Sequence, residues 1–194
     1  MALVASSSPP AVGRRRVAAL VCLALLGLLV CESSVPGNAA ELYSESSVKA
    51  VYLYRFAGYV EWPSETPTPT RFTIAVMGDD QVAEALSRLL PQHPISGQTA
   101  EVRVAHRVAD LAGAQMIYIG EGHRGDLRDA LAGVEHRPVL VVTSEMDGLA
   151  AGSTVNFVQA NNKIRFEISL DAATRAGLKI SSQLLALAVR IQHD

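Results

Sequence analysis

The chain has 194 residues, of which 49% are hydrophobic and 19% are charged, and its formal net charge is −2 at pH 7. This balance excludes the strongly basic surface with which proteins bind nucleic acid, so no nucleic-acid partner is expected. Both cysteines, Cys22 and Cys31, lie within residues 1–40. The rest of the chain therefore has no thiol for a disulfide or a cysteine metal site.

Residues 1–40 have the pattern of a signal peptide and leader. Three arginines at 14–16 precede an apolar run over 17–30, and small residues follow as far as Ala40, the expected end of the leader. The run is shorter than the ~20 residues of a membrane span, although retention of the leader as an anchor is an alternative. We expect a periplasmic protein with one domain, 41–194. Removing three arginines and Glu32 from 17 basic and 19 acidic residues leaves this domain 14 and 18.

Strands and helices alternate along the domain. Helices are predicted over 45–61, 81–90 and 125–134, and two more begin at Asp171 and at Ser181 or Ser182. Strands are predicted in the segment RFTIAVMGDD (71–80), over 100–108, 115–120 and 138–144, and in a hairpin over 154–170. This order predicts a single compact α/β domain with a mixed, mainly parallel sheet, helices on both faces and a β-hairpin in its C-terminal half.

The segment VYLYRFAGYVEWP (51–63) holds five of the ten aromatic residues of the chain. Its every-second-residue aromatic pattern fails at Gly58, and it is longer than a strand of about 5–6 residues. We therefore predict a helix that begins after Ser44 and tolerates Gly58. One helical stripe is expected in the core: Tyr52, Phe56 and Tyr59. Three further residues lie off that stripe and are candidate partner-binding residues: Tyr54, Glu61 and Trp62.

The segment TVNFVQANNKIRFEISL (154–170) is typical of a two-stranded hairpin. Asn161-Asn162 suits the positive φ angles of a type I′ turn. The implied register places three pairs on one apolar side: Val155 with Ile168, Phe157 with Phe166, and Gln159 with Ile164. The opposite face is a second candidate partner-binding surface: Asn156, Val158, Arg165 and Glu167.

Two strand-to-helix turns carry motifs that are associated with ligands. GEGHRG (120–125) fits the G-x-G-x-x-G pattern of a dinucleotide site, with Glu145 further along the chain. However, Glu121 and Asp126 place negative charge where a pyrophosphate would bind, so a glycine-rich structural turn is the preferred interpretation. MGDD (77–80) could hold Mg²⁺, but its aspartates more often cap the following helix.

Catalytic residues are not evident in the sequence. The five histidines are scattered, without the spacing of a metal site, and His123 with Asp126 is only a weak acid–base candidate. Ser144 lacks the G-x-S-x-G turn that exposes a nucleophile. We therefore expect no catalytic residues, no metal and no cofactor.

Several segments together resemble the YfiR-like family of exported proteins. They are VKAVYLYRFAGYVEWP, FTIAVMGDD, RPVLVVTSE and VNFVQANNKIRFEISLDAATRAGLKISSQLLALA, which occur in order over nearly all of 46–188. The resemblance implies a compact α/β domain and a non-enzymatic periplasmic regulator. Characterised members restrain an inner-membrane diguanylate cyclase through its periplasmic region, which lowers cyclic di-GMP and limits biofilm growth.

The resemblance also implies partners. An outer-membrane-associated lipoprotein relieves the repression, and a homodimer is expected. The family's disulfides have no counterpart in residues 41–194, which contain no cysteine. The membrane partner could instead be another sensor, such as a histidine kinase. Two alternatives to the repressor remain: a small-molecule-binding module with a pocket near 78–80 and 120–125, and a periplasmic enzyme, which would cluster perturbed titratable groups in one cleft.

Overall fold

The computed structural model describes residues 44–63 and 70–193. The predicted leader (1–40), both cysteines and the prolines at 67 and 69 lie outside the described residues. Within them the helices are α1 (Glu45–Tyr59), α2 (Asp80–Leu89), α3 (Arg124–Gly133), α4 (Gly148–Ala151), α5 (Leu170–Arg175) and α6 (Ser182–Leu185). The strands are β1 (Val60–Glu61), β2 (Arg71–Met77), β3 (Thr99–Ala105), β4 (Met116–Ile119), β5 (Leu140–Thr143), β6 (Val155–Ala160), β7 (Lys163–Ser169), β8 (Lys179–Ile180) and β9 (Arg190–Gln192).

The main sheet has seven strands in the order β3-β2-β4-β5-β6-β7-β9. Strands β2 to β6 are parallel to one another, β7 is antiparallel to β6, and β9 is parallel to β7. Every residue of β4 and β5 is buried, as expected for parallel strands with helices on both faces. One apolar cluster includes α1, α2 and α6, and the other includes α3. The predicted α/β fold is confirmed.

Helix α1 forms as the sequence predicts and anchors the first cluster. The Ser44 hydroxyl accepts a hydrogen bond from the Ser47 N–H (3.1 Å) and caps the helix. Phe56 is fully buried, and the Tyr52 ring packs against it with 5.9 Å between ring centroids. The helix ends at Tyr59 rather than at the predicted residue 61, because Val60 and Glu61 extend and pair antiparallel with β8.

The hairpin has the predicted register. Phe157 lies opposite Phe166, and the other predicted pairs also match. Asn161 and Asn162 have φ angles of 52° and 57°, as a type I′ turn requires. The inner-face residues Val155, Phe157, Phe166 and Ile168 are buried against the first cluster.

The C-terminal region differs from the prediction in two places. Ser169, not Asp171, caps α5, because the Ser169 hydroxyl accepts a hydrogen bond from the Ala172 N–H (3.2 Å). After α6 the chain forms strand β9 beside β7 instead of continuing as helix. The Val189 N–H donates to the Phe166 carbonyl (2.9 Å) where this pairing starts. None of the helices in 44–63 and 70–193 has the length and apolar character needed to cross a membrane.

Replacing Gly58 in α1 and Gly120 after β4 with alanine should have opposite effects on stability. A Cβ at exposed Gly58, inside α1, would have no atom within 4 Å, whereas a Cβ at Gly120 would lie 2.5 Å from the Gly78 carbonyl oxygen. We expect Gly58→Ala to raise the free energy of unfolding by up to about 1 kcal/mol, and Gly120→Ala to lower it by about 1–3 kcal/mol. Urea unfolding of the 41–194 protein measures both, and a destabilised Gly58→Ala protein would contradict the helix assignment.

Candidate functional site

The outer face of the hairpin borders a polar groove of about 490 Å³. Its walls come from the first turns of α1, the loops after β4 and β5, the hairpin and β9. We call it the hairpin groove, and its lining includes Lys49, Met146, Val158, Glu167 and Arg190. The groove therefore brings part of the predicted hairpin surface next to residues that are distant in the sequence.

A hydrogen-bonded network forms the floor of the hairpin groove. The Thr143 hydroxyl donates to Asn156 Oδ1 (2.7 Å), and Asn156 Nδ2 donates to Glu167 Oε1 (3.1 Å). Arg190 donates to Glu167 Oε2 through Nε (2.7 Å), and its Nη2 lies 2.6 Å from the same oxygen. Asn156 is only 2% exposed and Glu167 6%. These two candidate partner-binding residues are therefore inside the domain, where they join β5, β6, β7 and β9.

The other two hairpin candidates lie nearer the surface. Val158 is half-buried and Arg165 is exposed directly opposite it on β7. The Arg165 guanidinium has no ion-pair partner in the described part of the chain. Met146, in the loop after β5, is 79% exposed on the groove wall. This mixture of Met, Arg and aliphatic surface matches the composition of interface cores.

The second candidate set does not form one shared contact. The Tyr54 ring packs on His93 (5.5 Å between centroids), and the Trp62 ring packs on Phe72 (5.2 Å). The Trp62 Nε1–H is buried without a hydrogen-bond partner among the described residues. Glu61 is exposed on β1, opposite Lys179. Of this set, Tyr54 and Trp62 are half-buried packing residues and Glu61 is the accessible one.

The GEGHRG turn is occupied by a carboxylate of the protein itself. Glu145, only 8% exposed, accepts a hydrogen bond from the His123 N–H at the start of α3. That backbone donor is one of those that would hold a pyrophosphate in a dinucleotide site. Gly120 is needed because a Cβ there would contact the Gly78 backbone. The geometry supports a structural turn at this position.

The carboxyl ends of β2 and β4 meet where open α/β sheets commonly bind ligands. Here Tyr118 fills the space: its hydroxyl donates to Asp79 Oδ2 (3.2 Å) and lies 2.8 Å from Ser144 Oγ. Asp79 Oδ1 also accepts from the Val82 N–H (3.1 Å), which makes Asp79 the cap of α2. The capping interpretation of MGDD is confirmed. Burial raises the pKa of the Tyr118 hydroxyl, so this group stays protonated as a donor.

A small cleft of about 280 Å³ remains beside this point, next to Gly78, His106 and His123. His123 Nδ1 lies 2.9 Å from Asp126 Oδ2, and both side chains are partly exposed. The two residues of the weak acid–base candidate are therefore in contact, three positions apart at the start of α3. In 44–63 and 70–193 no set of three or more His, Cys, Asp or Glu side chains is arranged to hold a metal ion.

Several groove residues could not be identified from the sequence. Met146 follows β5 and carries no motif, and its position beside the hairpin depends on the β5–β6 pairing. Glu145 was predictable only as the acidic residue that accompanies GEGHRG, and its position beside the hairpin depends on the same pairing. Lys49 is 8% exposed and pairs with Glu45 (2.7 Å between Nζ and Oε1). The only sequence signal for Lys49 was a cation four residues after an acidic residue on a helix.

Replacing Tyr118 with Phe tests the internal network at the end of β4. We expect Tyr118→Phe to lower the free energy of unfolding by about 0.5–1.5 kcal/mol at pH 7, since Asp79 and Ser144 lose a partner. The folded pKa of Tyr118 is raised, so its stabilising contribution is complete below the unfolded pKa near 10 and declines as pH rises above it. The deficit of the variant should therefore shrink by up to about 1.4 kcal/mol per pH unit above 10. Urea unfolding at pH 7 and 11 measures this, and a constant deficit would contradict it.

Comparison with known proteins shows similarity to solved structures and to a family model. A conserved domain protein from Vibrio cholerae O1 biovar eltor str. N16961 has a crystal structure that superposes with a TM-score of 0.45 at 12% sequence identity. The match covers 77% of this chain and 60% of that chain. The model of the family described as YfiR/HmsC-like matches residues 46–189. Since this is well over half of the sequence, the chain belongs to the YfiR/HmsC-like family.

Proposed function

We propose that the protein is an exported repressor that binds the periplasmic region of an inner-membrane diguanylate cyclase and lowers cyclic di-GMP. The observation that carries this proposal is the family match over 46–189. The leader pattern of residues 1–40 supports export, with residues 41–194 as the mature domain. The polar groups near the strand ends support a binding role rather than a catalytic one. Asp79, Tyr118 and Glu145 are already hydrogen-bonded to other groups of the domain.

The rim of the hairpin groove and the neighbouring Arg165, opposite Val158 on β7, are the proposed contact surface for the cyclase. Val158, Arg165 and Met146 offer apolar surface and a guanidinium that has no ion-pair partner among the described residues. Beneath them Asn156 and Glu167 fix the two strands through their hydrogen bonds. A surface that is already ordered loses little conformational entropy on binding. Asn156 and Glu167 are thus proposed to shape the site from below.

Tyr54, Glu61 and Trp62 are proposed as a second part of the partner contact. Glu61 supplies the accessible charge, and the packing of Tyr54 on His93 and of Trp62 on Phe72 holds the end of α1 in place.

A homodimer is proposed as well. Its support is a row of exposed apolar residues at the β9 end of the sheet: Leu187, Val189 and Ile191. Release by an outer-membrane lipoprotein completes the proposed switch.

A small-molecule-binding module that feeds another membrane sensor, such as a histidine kinase, is the second candidate function. The cleft near Gly78, His106 and His123 favours it, because it lies at the carboxyl ends of β2 and β3, beside the point where open α/β sheets commonly bind ligands. A compound that binds the native state alone would raise the midpoint of thermal unfolding. Such a ligand, together with unchanged cyclic di-GMP in a deletion strain, would favour this module over the repressor.

The direct test of the repressor is deletion of the gene followed by measurement of cellular cyclic di-GMP. We expect a rise that the wild-type gene reverses, and no rise would contradict the proposal. An Arg165→Glu gene should fail to lower cyclic di-GMP again, since the change inverts the charge directly opposite Val158, beside the groove. Arg128→Glu is the matched control, because Arg128 is exposed on α3 and outside the groove. Full repression by an Arg165→Glu protein would place the contact elsewhere on the domain.

A further inference from the structure

A second cleft lies at the other end of the strands from the hairpin groove, by the amino ends of β5 and β6. It has a volume of about 290 Å³ and lies between the end of α3, the end of α4 and α5. We call it the α3–α5 cleft, and its apolar lining includes Leu131, Val139, Val141, Ala172 and Ala176. Its size is at the lower limit of the ~300–1,000 Å³ typical of ligand sites. An apolar lining of this size suits the body of a small organic molecule.

Two arginines lie at the rim of this cleft. Arg137 follows α3 and Arg175 ends α5, and both are exposed. Neither guanidinium has a side-chain partner within 44–63 and 70–193. The nearby Glu135 carboxylate is 3.6 Å from His136 Nε2. The rim therefore presents two cationic groups whose donors are available to an anion, and guanidinium binds carboxylates with good geometry.

The side chain of Thr154 also lines the α3–α5 cleft. Thr154 is only 3% exposed, yet its side chain makes no hydrogen bond to any described residue. Its backbone is fully engaged, because the N–H donates to Val141 and the carbonyl accepts from Ser169. The Thr154 hydroxyl is therefore placed to bond to an oxygen of a molecule in the cleft.

Three helix ends oppose anion binding at the same place. Helices α3, α4 and α5 all finish beside the cleft, and the C-terminal end of a helix has a partial negative charge. Each arginine carries a full positive charge, against a partial one from each short helix. Anion binding here consequently depends on Arg137 and Arg175, a dependence that mutation can expose.

We propose that the α3–α5 cleft binds a small amphiphilic anion, a carboxylate attached to an apolar chain or ring. The apolar part lies against Leu131, Val139 and Val141, and the carboxylate pairs with Arg137 and Arg175. The Thr154 hydroxyl donates to a ligand oxygen. This site is separate from the hairpin groove and does not depend on the repressor function.

Titration of the 41–194 protein with octanoate tests the proposal, with calorimetry for affinity and NMR for location. We expect saturable binding that shifts the amide resonances of Thr154 and Ala176. Octan-1-ol has the same chain without the charge, and acetate has the charge without the chain, so both should bind at least about tenfold more weakly. No octanoate binding, or shifts confined to other regions, would overturn the proposal.

Variants separate a built site from apolar adsorption. Arg137→Gln combined with Arg175→Gln should weaken octanoate binding by about tenfold or more and leave octan-1-ol unchanged. Arg128→Gln, on the exposed side of α3, is the matched control and should bind octanoate as the wild type does. Ala176→Leu should fill the cleft and weaken both ligands. Unchanged octanoate affinity in the double variant would show adsorption only and would overturn the proposal.

Discussion

The packing of α1 against the inner face of the hairpin is the contact on which the rest of the domain depends. Phe56 lies 4.9 Å from Phe166 and 5.7 Å from Phe157 between ring centroids, and Tyr52 lies 5.4 Å from Phe166. These rings join the first helix to strands near the other end of the sequence, and aromatic pairs of this kind contribute beyond their buried area. Because side chains alternate across a strand, burying this face turns Asn156 and Glu167 toward the hairpin groove.

The same alternation explains what the sequence could predict. In the hairpin, only one register separates apolar from polar side chains, and Asn161-Asn162 fits the turn, so each cross-strand pair was predictable. Strands β1, β8 and β9 could not be predicted. Each has only two or three residues, too few to show an alternation of apolar and polar side chains, and each forms by pairing with a strand distant in the sequence. The cap at Ser169 was missed because Asp171 is an equally suitable residue type two positions later.

The candidate site was predictable only in part, for a related reason. The sequence predicts which residues lie on the outer face of the hairpin but not how deeply each one is buried. That burial depends on the hydrogen bonds of Glu167 with Asn156 and Arg190. Those bonds bury two of the four predicted hairpin residues and leave Val158 and Arg165 as the accessible ones. Met146 joins them through tertiary structure alone. The domain thus has a polar groove beyond the carboxyl end of β5 and an apolar cleft with two arginines at its rim by the amino ends of β5 and β6.

A repressor of a membrane protein must touch its target in the cell, and the hairpin groove is the proposed point of contact. The most direct measurement places a photo-crosslinking amino acid at Val158 or at Arg165 in the exported protein and irradiates living cells. We expect an adduct with an inner-membrane protein that has a periplasmic sensor region, identified by mass spectrometry, and no such adduct from the same amino acid at Arg128. Adducts from Arg128 but from neither hairpin position would contradict the outer face of the hairpin as the site of repression.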